Sequence, residues 1–164
     1  MKKIAFIGPN SENCSDQLYD FGVELGRAVA TADTIIICGG RGGFMEAVCR
    51  GAKESAGTFK GQTLGILPEA TAESANRWVD VTIPTGMGLA RNAIIVNSGD
   101  IIVAAGGGTG TLSELAFACQ MGKKVLCITT FDGWAARLAA ADVDAISPGL
   151  LIPVATIEEI LGHL

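Results

Sequence analysis

The sequence predicts an α/β protein with a Rossmann-like, doubly wound and mainly parallel sheet, flanked by helices on both faces. Short apolar runs alternate along the chain with longer segments of helical periodicity, which is the pattern of consecutive β–α units. Of the 164 residues, 49% are hydrophobic and only 18% are charged, as suits a sheet that is buried on both faces. The length and the unbroken alternation predict one domain over residues 1–164.

Each predicted element has a local signal. An apolar run that Gly8 and Pro9 end predicts the first strand, and one-sided apolar spacing predicts the helix that follows. Thr156 and Glu159 have the spacing of a capping box that opens a closing helix. The predicted strands are residues 3–7, 34–38, 63–67, 79–83, 100–104, 124–128 and 151–155. The predicted helices are residues 15–30, 43–55, 88–97 and 111–121, a weaker segment after Gly133, and the closing segment after Thr156.

A glycine-rich segment at 106–114, Gly-Gly-Gly-Thr-Gly-Thr-Leu-Ser-Glu, joins the fifth predicted strand to a helix. Glycine lets the backbone approach a ligand closely, and the first N–H groups of a helix have no internal partner. The segment lacks the Gly-Lys-Ser/Thr ending of a P-loop. We therefore expect a cradle for a phosphate or another oxyanion. Its members would be Gly107, Gly108, Thr109, Gly110 and Thr111.

A second glycine cluster follows the strand at 34–38. It consists of Gly39, Gly40, Gly42 and Gly43 around Arg41. The carboxyl ends of parallel strands share the sheet edge where open α/β folds bind ligands, so we expect the two clusters to lie side by side there. Tight turns and close helix packing also select glycine, and packing is the alternative interpretation. Arg41 either touches a phosphate or is solvated.

Composition argues against several functional classes. A net charge of −5 with no basic stripe argues against nucleic-acid binding, and no apolar run is long enough to span a membrane. The first apolar run is too short for a signal peptide, so we expect a cytoplasmic protein. Five cysteines without a C-x-x-C pair predict reduced thiols. Among them, only Cys14 stands where a helix start could lower a thiol pKa.

The sequence fits a nicotinamide cofactor badly. The first strand ends in Gly8-Pro9-Asn10-Ser11 rather than G-x-G-x-x-G, and the second ends in Cys38 rather than in an acidic residue, so we expect no NAD site. The single histidine, His163, is next to last, which argues against a Ser-His-Asp triad and most zinc centres. We expect no metal site. Any catalysis would fall to carboxylates, hydroxyls, Arg or Lys.

Arg91 and Glu114 are the leading candidates for chemistry. Glu114 is either a general acid/base beside the cradle or the last residue of a capping box, Thr111-Leu-Ser-Glu. Arg91 lies just inside a predicted helix start, where a cation opposes the helix dipole by up to about 1 kcal/mol. That cost indicates a compensating anion, either a ligand or Glu114; an ordinary exposed arginine is the alternative. Asn10 and Ser11 could bond a polar ligand, but turn chemistry explains them equally well.

Three segments together resemble the Lonely Guy superfamily, whose members were often described as possible lysine decarboxylases. They are Cys-Gly-Gly-Arg-Gly-Gly-Phe-Met-Glu-Ala at 38–47, Gly-Leu-Ala-Arg-Asn at 88–92, and the glycine-rich segment at 106–114. Ile-Pro-Thr-Gly at 83–86 and Leu-Ala-Arg-Asn-x-Ile-Ile-Val at 89–96 are similar to the branch of molybdenum-cofactor carriers. The likeness runs from the first strand to about Trp134.

The resemblance implies two possible functions. Enzymatic members are phosphoribohydrolases that release cytokinin bases from nucleoside 5′-monophosphates, with a Pro-Gly-Gly-x-Gly-Thr-x-x-Glu loop and an Arg-Lys pair. Arg91 and Glu114 match the enzymes' arginine and final glutamate, and would be the catalytic residues of such an enzyme. Gly106 replaces the proline, Asn92 replaces the lysine, and Ser113 stands where enzymes commonly carry an additional glutamate. The carrier branch binds the pterin-based molybdenum cofactor, whose phosphate would suit the cradle.

We therefore expect a carrier of a phosphorylated small molecule, which the resemblance identifies as the molybdenum cofactor. A nucleoside 5′-monophosphate phosphoribohydrolase that releases a purine or cytokinin base is the alternative. No pyridoxal-binding lysine is evident, so we expect no pyridoxal phosphate. Apolar positions at 89–96 and 112–121 exceed the needs of one sheet face and predict a homo-oligomer, a dimer or a tetramer. The residues expected to bind the ligand are Gly8, Asn10, Ser11, Gly39, Gly40, Arg41, Gly42, Gly43, Arg91, Asn92, Gly107, Gly108, Thr109, Gly110, Thr111 and Glu114.

Overall fold

The computed structural model describes residues 1–141 and 150–164, and within them strands and helices alternate as predicted. The strands are β1 (Lys2–Ile7), β2 (Thr34–Cys38), β3 (Thr63–Leu67), β4 (Val81–Pro84), β5 (Ile101–Ala105), β6 (Val125–Ile128) and β7 (Leu151–Val154). The α-helices are α1 (Asp16–Val29), α2 (Phe44–Lys53), α3 (Asn92–Ser98), α4 (Thr109–Gln120), α5 (Trp134–Ala140) and α6 (Ile157–His163). Two 3₁₀ turns cover Ser11–Asn13 and Gly88–Arg91.

All seven strands form one parallel sheet in the order β4-β3-β2-β1-β5-β6-β7. β1 is central, and its Ile4 lies opposite Ile36 of β2 on one side and Ile101 of β5 on the other. The chain winds outward from β1 to β4, then returns to β5 and winds outward the other way. The predicted doubly wound α/β fold is confirmed, and its topological switch point lies between β1 and β5.

Each face of the sheet has its own apolar core. On one face α1, α2 and α6 cover the sheet, with Leu25, Phe44 and Ile160 almost fully buried. On the other face α3, α4 and α5 cover it through residues such as Ile95 and Leu115. Because both faces are buried, the strands are nearly continuous apolar runs rather than alternating ones. The low charged fraction of the sequence therefore has a structural cause.

Two helix starts carry side-chain caps, of which the one at α6 was predicted from the sequence. The Ser15 hydroxyl accepts a hydrogen bond from the Leu18 N–H (3.2 Å) at the start of α1. At α6 the Thr156 hydroxyl accepts one from the Glu159 N–H (3.2 Å), and the Glu159 carboxylate accepts one from the Ala155 N–H (2.7 Å). The predicted capping box at α6 is confirmed, with its reciprocal bond made one residue earlier than in the standard box.

Two predicted boundaries are wrong in ways that bear on function. The segment at 88–97 is a 3₁₀ turn followed by α3 rather than one helix, and Arg91 stands at the junction. The helix predicted at 111–121 begins at Thr109, with Gly108 at its N-cap. Both differences lie where the chain enters the carboxyl edge of the sheet. The strand predicted at 79–83 also shifts, to β4 at 81–84.

Two further expectations concern the state of the cysteines and the presence of a membrane-spanning helix. All five thiols are free, and Cys38, Cys49 and Cys127 are buried. The position of Cys14 near a helix start allowed a lowered thiol pKa, but partial burial and the nearby Asp16 raise the pKa of this thiol. Among the described residues, no helix combines the length and apolar character needed to cross a bilayer.

Candidate functional site at the switch point of the sheet

A cavity of about 270 Å³ opens at the carboxyl edge of the sheet, beside the switch point between β1 and β5. Segments that follow β1, β2, β4 and β5 all contribute to its wall. The lining residues are Gly8, Asn10, Asn13, Arg41, Met45, Leu89, Arg91, Asn92, Gly108, Thr109, Gly110, Thr111 and Glu114. Open α/β folds bind their ligands at this position, because the loops on either side of a switch point diverge and leave a crevice.

The amino terminus of α4 forms one wall of the cavity. The first bond of the helix runs from the Leu112 N–H to the Gly108 carbonyl oxygen (3.0 Å). Within the described part of the chain, the N–H groups of Thr109, Gly110 and Thr111 have no acceptor, and no side chain caps the helix. Unpartnered amides at a helix start carry partial positive charge and favour anions.

The open space at this helix start comes from its glycines. A Cβ added to Gly108 or to Gly110 would meet no atom of the described residues within 4 Å. Neither glycine has a positive φ; in this loop the positive values belong to Gly106 (49°) and Gly107 (87°). Gly107 lies against the Thr111 side chain rather than along the cavity wall. The two cavity-lining glycines therefore leave room beside the free amides without backbone strain.

The capping box predicted at Thr111–Glu114 is wrong. Because the helix begins at Thr109, Thr111 is already inside it and Glu114 lies in its second turn. The Glu114 side chain is buried and faces the arginine of the neighbouring helix instead of the backbone of its own. Capping therefore does not explain why Glu114 lies at the cavity. The alternative interpretation, a general acid/base beside the cradle, is favoured instead.

Arg91 and Glu114 form a buried pair across the junction of α3 and α4. Arg91 Nη1 lies 3.6 Å from Glu114 Oε1, and each side chain is only 8% exposed. Arg91 Nη1 also donates to Asn92 Oδ1 (2.7 Å), whereas the buried Nε has no hydrogen-bond partner among the described residues. The acidic neighbour of Arg91 is thus Glu114, although 3.6 Å is too long for a hydrogen bond between them.

Burial sets the charge state of this pair. It raises the pKa of Glu114 to about 8, and the nearby Arg91 guanidinium limits the rise. Burial also lowers the pKa of Arg91, with Glu114 acting in the opposite direction. A guanidinium keeps its proton even so. Near neutral pH the cavity therefore contains a positive arginine beside a carboxyl that is mostly neutral and can donate a hydrogen bond.

Asn92 connects the arginine to α4. Its side-chain Nδ2 donates to Ser113 Oγ (2.9 Å), and the Ser113 hydroxyl donates to the Gly110 carbonyl oxygen (2.7 Å). Because Asn92 also accepts from Arg91, an unbroken hydrogen-bonded chain runs from the guanidinium to the first turn of α4. Asn92 is nearly fully buried, so this chain fixes the relative position of the cation and the free amides.

The second glycine cluster contributes to the cavity through Arg41 alone. Arg41 is about half exposed and lies 3.5 Å from Glu69. A Cβ on Gly39 would meet Arg91 Nη2 at 2.7 Å, and one on Gly43 would meet the Pro9 carbonyl oxygen at 2.5 Å. Gly40 and Gly42 pack in the same way, against Gly65 and Ser11 respectively.

The expectation that the two glycine clusters lie side by side is wrong. β1 separates β2 from β5, so the loop after β1 lies between the two clusters. Gly8 and Asn10 of that intervening loop line the cavity, whereas Ser11 packs over Gly42 and does not.

Three lining residues were missed by sequence reasoning: Asn13, Met45 and Leu89. Leu89 is 77% exposed, which is unusual for a large apolar side chain and is typical of a binding surface. The local sequence does not reveal this exposure. Asn13 is held by a hydrogen bond from its Nδ2 to Asn10 Oδ1 (3.0 Å). Nothing in the local sequence distinguishes Met45 from the core residues of α2.

The fold and the cavity define a Rossmann-like α/β protein with a crevice at the switch point of its sheet, lined by the start of α4 and by Arg91. The chain belongs to the SLOG cluster4 family, whose model matches residues 1–161. This match confirms the resemblance to the Lonely Guy superfamily.

Three relatives are similar over most of their length. The structure of a molybdenum cofactor binding protein from Rippkaea orientalis is 30% identical with a TM-score of 0.85, over 99% of this chain and 94% of that one. The molybdenum cofactor carrier protein of Chlamydomonas reinhardtii is 30% identical with a TM-score of 0.83, over 99% and 96%. An uncharacterized protein of Archaeoglobus fulgidus is 38% identical over 125 residues, which are 76% of this chain and 78% of that protein.

Proposed function

We propose that this protein is a carrier that binds the molybdenum cofactor and holds it without covalent chemistry. The observation that carries the proposal is the convergence of unsatisfied positive groups on one cavity. The amides of Thr109, Gly110 and Thr111, which have no acceptor within residues 1–141 and 150–164, meet there with the guanidinium of the buried Arg91. Free amides at a helix start carry partial positive charge and favour an anionic acceptor, and the charge of Arg91 adds to this preference.

A phosphate monoester fits this set of groups. Its oxygens would accept from the amides at the start of α4, while the guanidinium neutralises its charge. A neutral Glu114 would not repel the phosphate and could donate one more hydrogen bond. The open space at Gly108 and Gly110 gives the phosphate room to reach the amides. The molybdenum cofactor is a pterin that carries such a phosphate.

The comparisons support the choice of ligand. Two relatives at 30% identity and nearly full coverage bear names that refer to the molybdenum cofactor. The site itself argues only for an anion; the identity of the cofactor comes from these relatives. Arg91, Asn92 and Gly108–Thr111 are the residues we propose for the phosphate, with Gly8, Asn10 and Arg41 near the rest of the ligand.

A phosphoribohydrolase is a second candidate, which the protonation of Glu114 favours. A buried carboxyl with a pKa of about 8, next to an arginine, is typical of a general acid. However, the two positions that depart from the enzymatic signature, Asn92 and Ser113, are hydrogen-bonded to each other and to the helix start. They hold the arginine in place and add no further ionisable group, which supports binding over hydrolysis.

Calorimetric titration tests the carrier proposal. The isolated molybdenum cofactor and AMP are titrated separately into the full-length protein. We expect heat from the cofactor with one site per chain and weaker heat from AMP. Tight binding of AMP without binding of the cofactor would overturn the proposal.

Incubation with AMP and its N6-substituted analogues tests the enzymatic candidate, with free base as the readout. Base release that is abolished by Glu114→Gln would establish hydrolysis. Release that is absent, or the same in the variant, would remove that candidate.

We also propose that the protein forms a homo-oligomer in the cytoplasm. Apolar side chains are exposed on β4 and on the segment that follows it. They are Val81 (41%), Ile83 (43%), Met87 (48%), Leu89 (77%) and Ile94 (37%). A second copy would cover this patch, and because Leu89 also lines the cavity, the contact would border the proposed site. Light scattering at micromolar concentration should give at least twice the mass of 16.8 kDa; a monomer would contradict it.

A further inference from the structure

A second cavity, of about 410 Å³, adjoins the first at the carboxyl edge of the sheet. The two cavities share Asn13 and lie on opposite sides of the loop at 106–108: Gly108 lines the first, and Gly106 and Gly107 line the second. The far wall comes from the segment after β6, with Thr130, Phe131 and Asp132. No part of the function proposed above uses this space.

The loop between the two cavities is held in place and presents no side chain. The Gly106 and Gly107 carbonyl oxygens accept from the N–H groups of Ala135 (3.0 Å) and Trp134 (3.1 Å) at the start of α5. Both glycines have positive φ, which favours glycine over any residue with a side chain. A ligand could therefore extend from one cavity into the other across bare backbone.

The second cavity differs from the first in its charge. Among the described residues that line it, Asp132 alone is charged, and no arginine or lysine is present. The exposed side chains of Asp132 and Gln17 make no hydrogen bond within residues 1–141 and 150–164, whereas Ser15 and Thr130 already use their hydroxyls. Phe131 adds an aromatic surface that packs edge-on against Phe21. The available groups are therefore a carboxylate, primary amides and a ring.

This combination suits a flat heterocycle that carries N–H donors. A carboxylate accepts two parallel hydrogen bonds from a ring N–H and an adjacent amino group, the arrangement of a 2-amino-4-oxo pyrimidine edge. The amide N–H groups of Asn13 and Gln17 could donate to the ring oxygen or nitrogen. A second phosphate would be repelled by Asp132, which separates the roles of the two cavities.

We propose that the second cavity binds the 2-amino-4-oxo heterocycle of a ligand whose phosphate occupies the first cavity, with Asp132 as the residue that recognises the heterocycle. This inference rests on the proposed anion site for the position of the phosphate. The edge it recognises occurs in pterins and in guanine nucleotides, and adenine lacks it.

The test uses calorimetry on the full-length protein with five probes: inorganic phosphate, unphosphorylated pterin, a pterin with a side-chain phosphate, GMP and AMP. We expect the phosphopterin, GMP or both to bind more tightly than AMP, and their relative affinities identify the source of the edge. Asp132→Asn should weaken the binding of the phosphopterin by about tenfold or more, because a charge-assisted pair is lost. If GMP binds the wild type, its affinity should fall by a similar factor. Phosphate and AMP should bind the variant as they bind the wild type.

Two further variants separate the possible outcomes. Asp20→Asn removes the same charge from an exposed site outside both cavities and should leave every affinity unchanged. Gly108→Val should weaken the binding of inorganic phosphate and leave the binding of unphosphorylated pterin unchanged. If phosphate binding survives in Gly108→Val, the anion site is wrong, whereas the pterin arm still tests the second cavity. An Asp132→Asn affinity for phosphopterin within twofold of wild type, or no binding of phosphopterin or GMP to the wild type, would overturn the inference.

Discussion

The two glycine-rich loops are similar in sequence but differ in what surrounds their glycines in the structure. In the loop after β2, the space beside each glycine is occupied by neighbouring atoms. In the loop after β5, Gly108 and Gly110 face open space. The first amide of α2 already donates to the Pro9 carbonyl oxygen (3.1 Å), whereas the first amides of α4 have no acceptor in the part of the chain that the structure describes. A glycine cluster thus indicates close approach of the backbone, and only the surroundings decide whether a protein atom or a ligand approaches.

The largest difference between the loops should appear in stability. Gly43→Ala places a Cβ at 2.5 Å from the Pro9 carbonyl oxygen at a φ of 77°, so we expect a loss of about 3 kcal/mol or more in the free energy of unfolding. Gly110→Ala is the matched control, because its Cβ meets nothing within 4 Å and lies inside α4. It should leave stability unchanged or raise it by up to about 1 kcal/mol.

Urea unfolding of both variants measures this difference. Equal midpoints for Gly43→Ala and the wild type would show that the loop after β2 is not constrained by packing.

Glu114 makes stability depend on pH in an unusual direction. The folded protein binds its proton more tightly than the unfolded chain, where the carboxyl titrates near 4.5. The stability that this proton contributes is therefore fully present below pH 4.5 and is lost as the pH rises through about 8. Glu114→Gln imitates the protonated carboxyl at every pH. It should match the wild type near pH 4 and exceed it by about 1–4 kcal/mol near pH 9.

Denaturant unfolding across this pH range tests the expectation. Parallel stability curves for Glu114→Gln and the wild type would mean that Glu114 titrates normally and that the cavity holds an ionised carboxylate.

The smallest expected effect concerns the start of α4. Were Thr111 the N-cap, Thr111→Val would remove a cap and cost about 1 kcal/mol. Because Gly108 is the N-cap and the Thr111 hydroxyl makes no capping bond, we expect a change below about 0.5 kcal/mol. A full 1 kcal/mol loss in thermal or urea unfolding would place the helix start at Thr111 after all. Thr156→Val, at the cap of α6, serves as the positive control.

The sequence predicted the strands and helices well, but it did not predict which of them lie next to each other. The runs at 34–38 and 63–67 match β2 and β3 to the residue, because buried parallel strands are short, apolar and bounded by glycine or polar residues. The order of strands in the sheet does not follow from local sequence patterns. The position of β1 between β2 and β5 could therefore not be predicted. The start of α4 was misplaced because Thr111 and Glu114 imitate a capping box.

Parts of the candidate site were predictable for a physical reason. Arg91 was suspected because a cation at a helix start indicates an anion or an acidic neighbour, and the acidic neighbour in the structure is Glu114 at 3.6 Å. The hydrogen bond between Asn92 and Ser113 joins residues 21 positions apart, and no local rule reports such a contact. The inclusion of Asn13 and Leu89 in the cavity wall likewise depends on how distant loops come together.

The central claim is that the open glycine loop, and not the packed one, binds the phosphate of the ligand. Calorimetric titration of the isolated molybdenum cofactor into the wild type, Gly108→Val and Gly162→Val tests it most directly. Gly162 lies exposed in α6 with open space around it, so its variant controls for a valine in place of glycine. We expect Gly162→Val to bind like the wild type and a cooperatively folding Gly108→Val to lose affinity by about tenfold or more, because the valine fills the space beside the free amides. Full affinity in a folded Gly108→Val protein would contradict the claim.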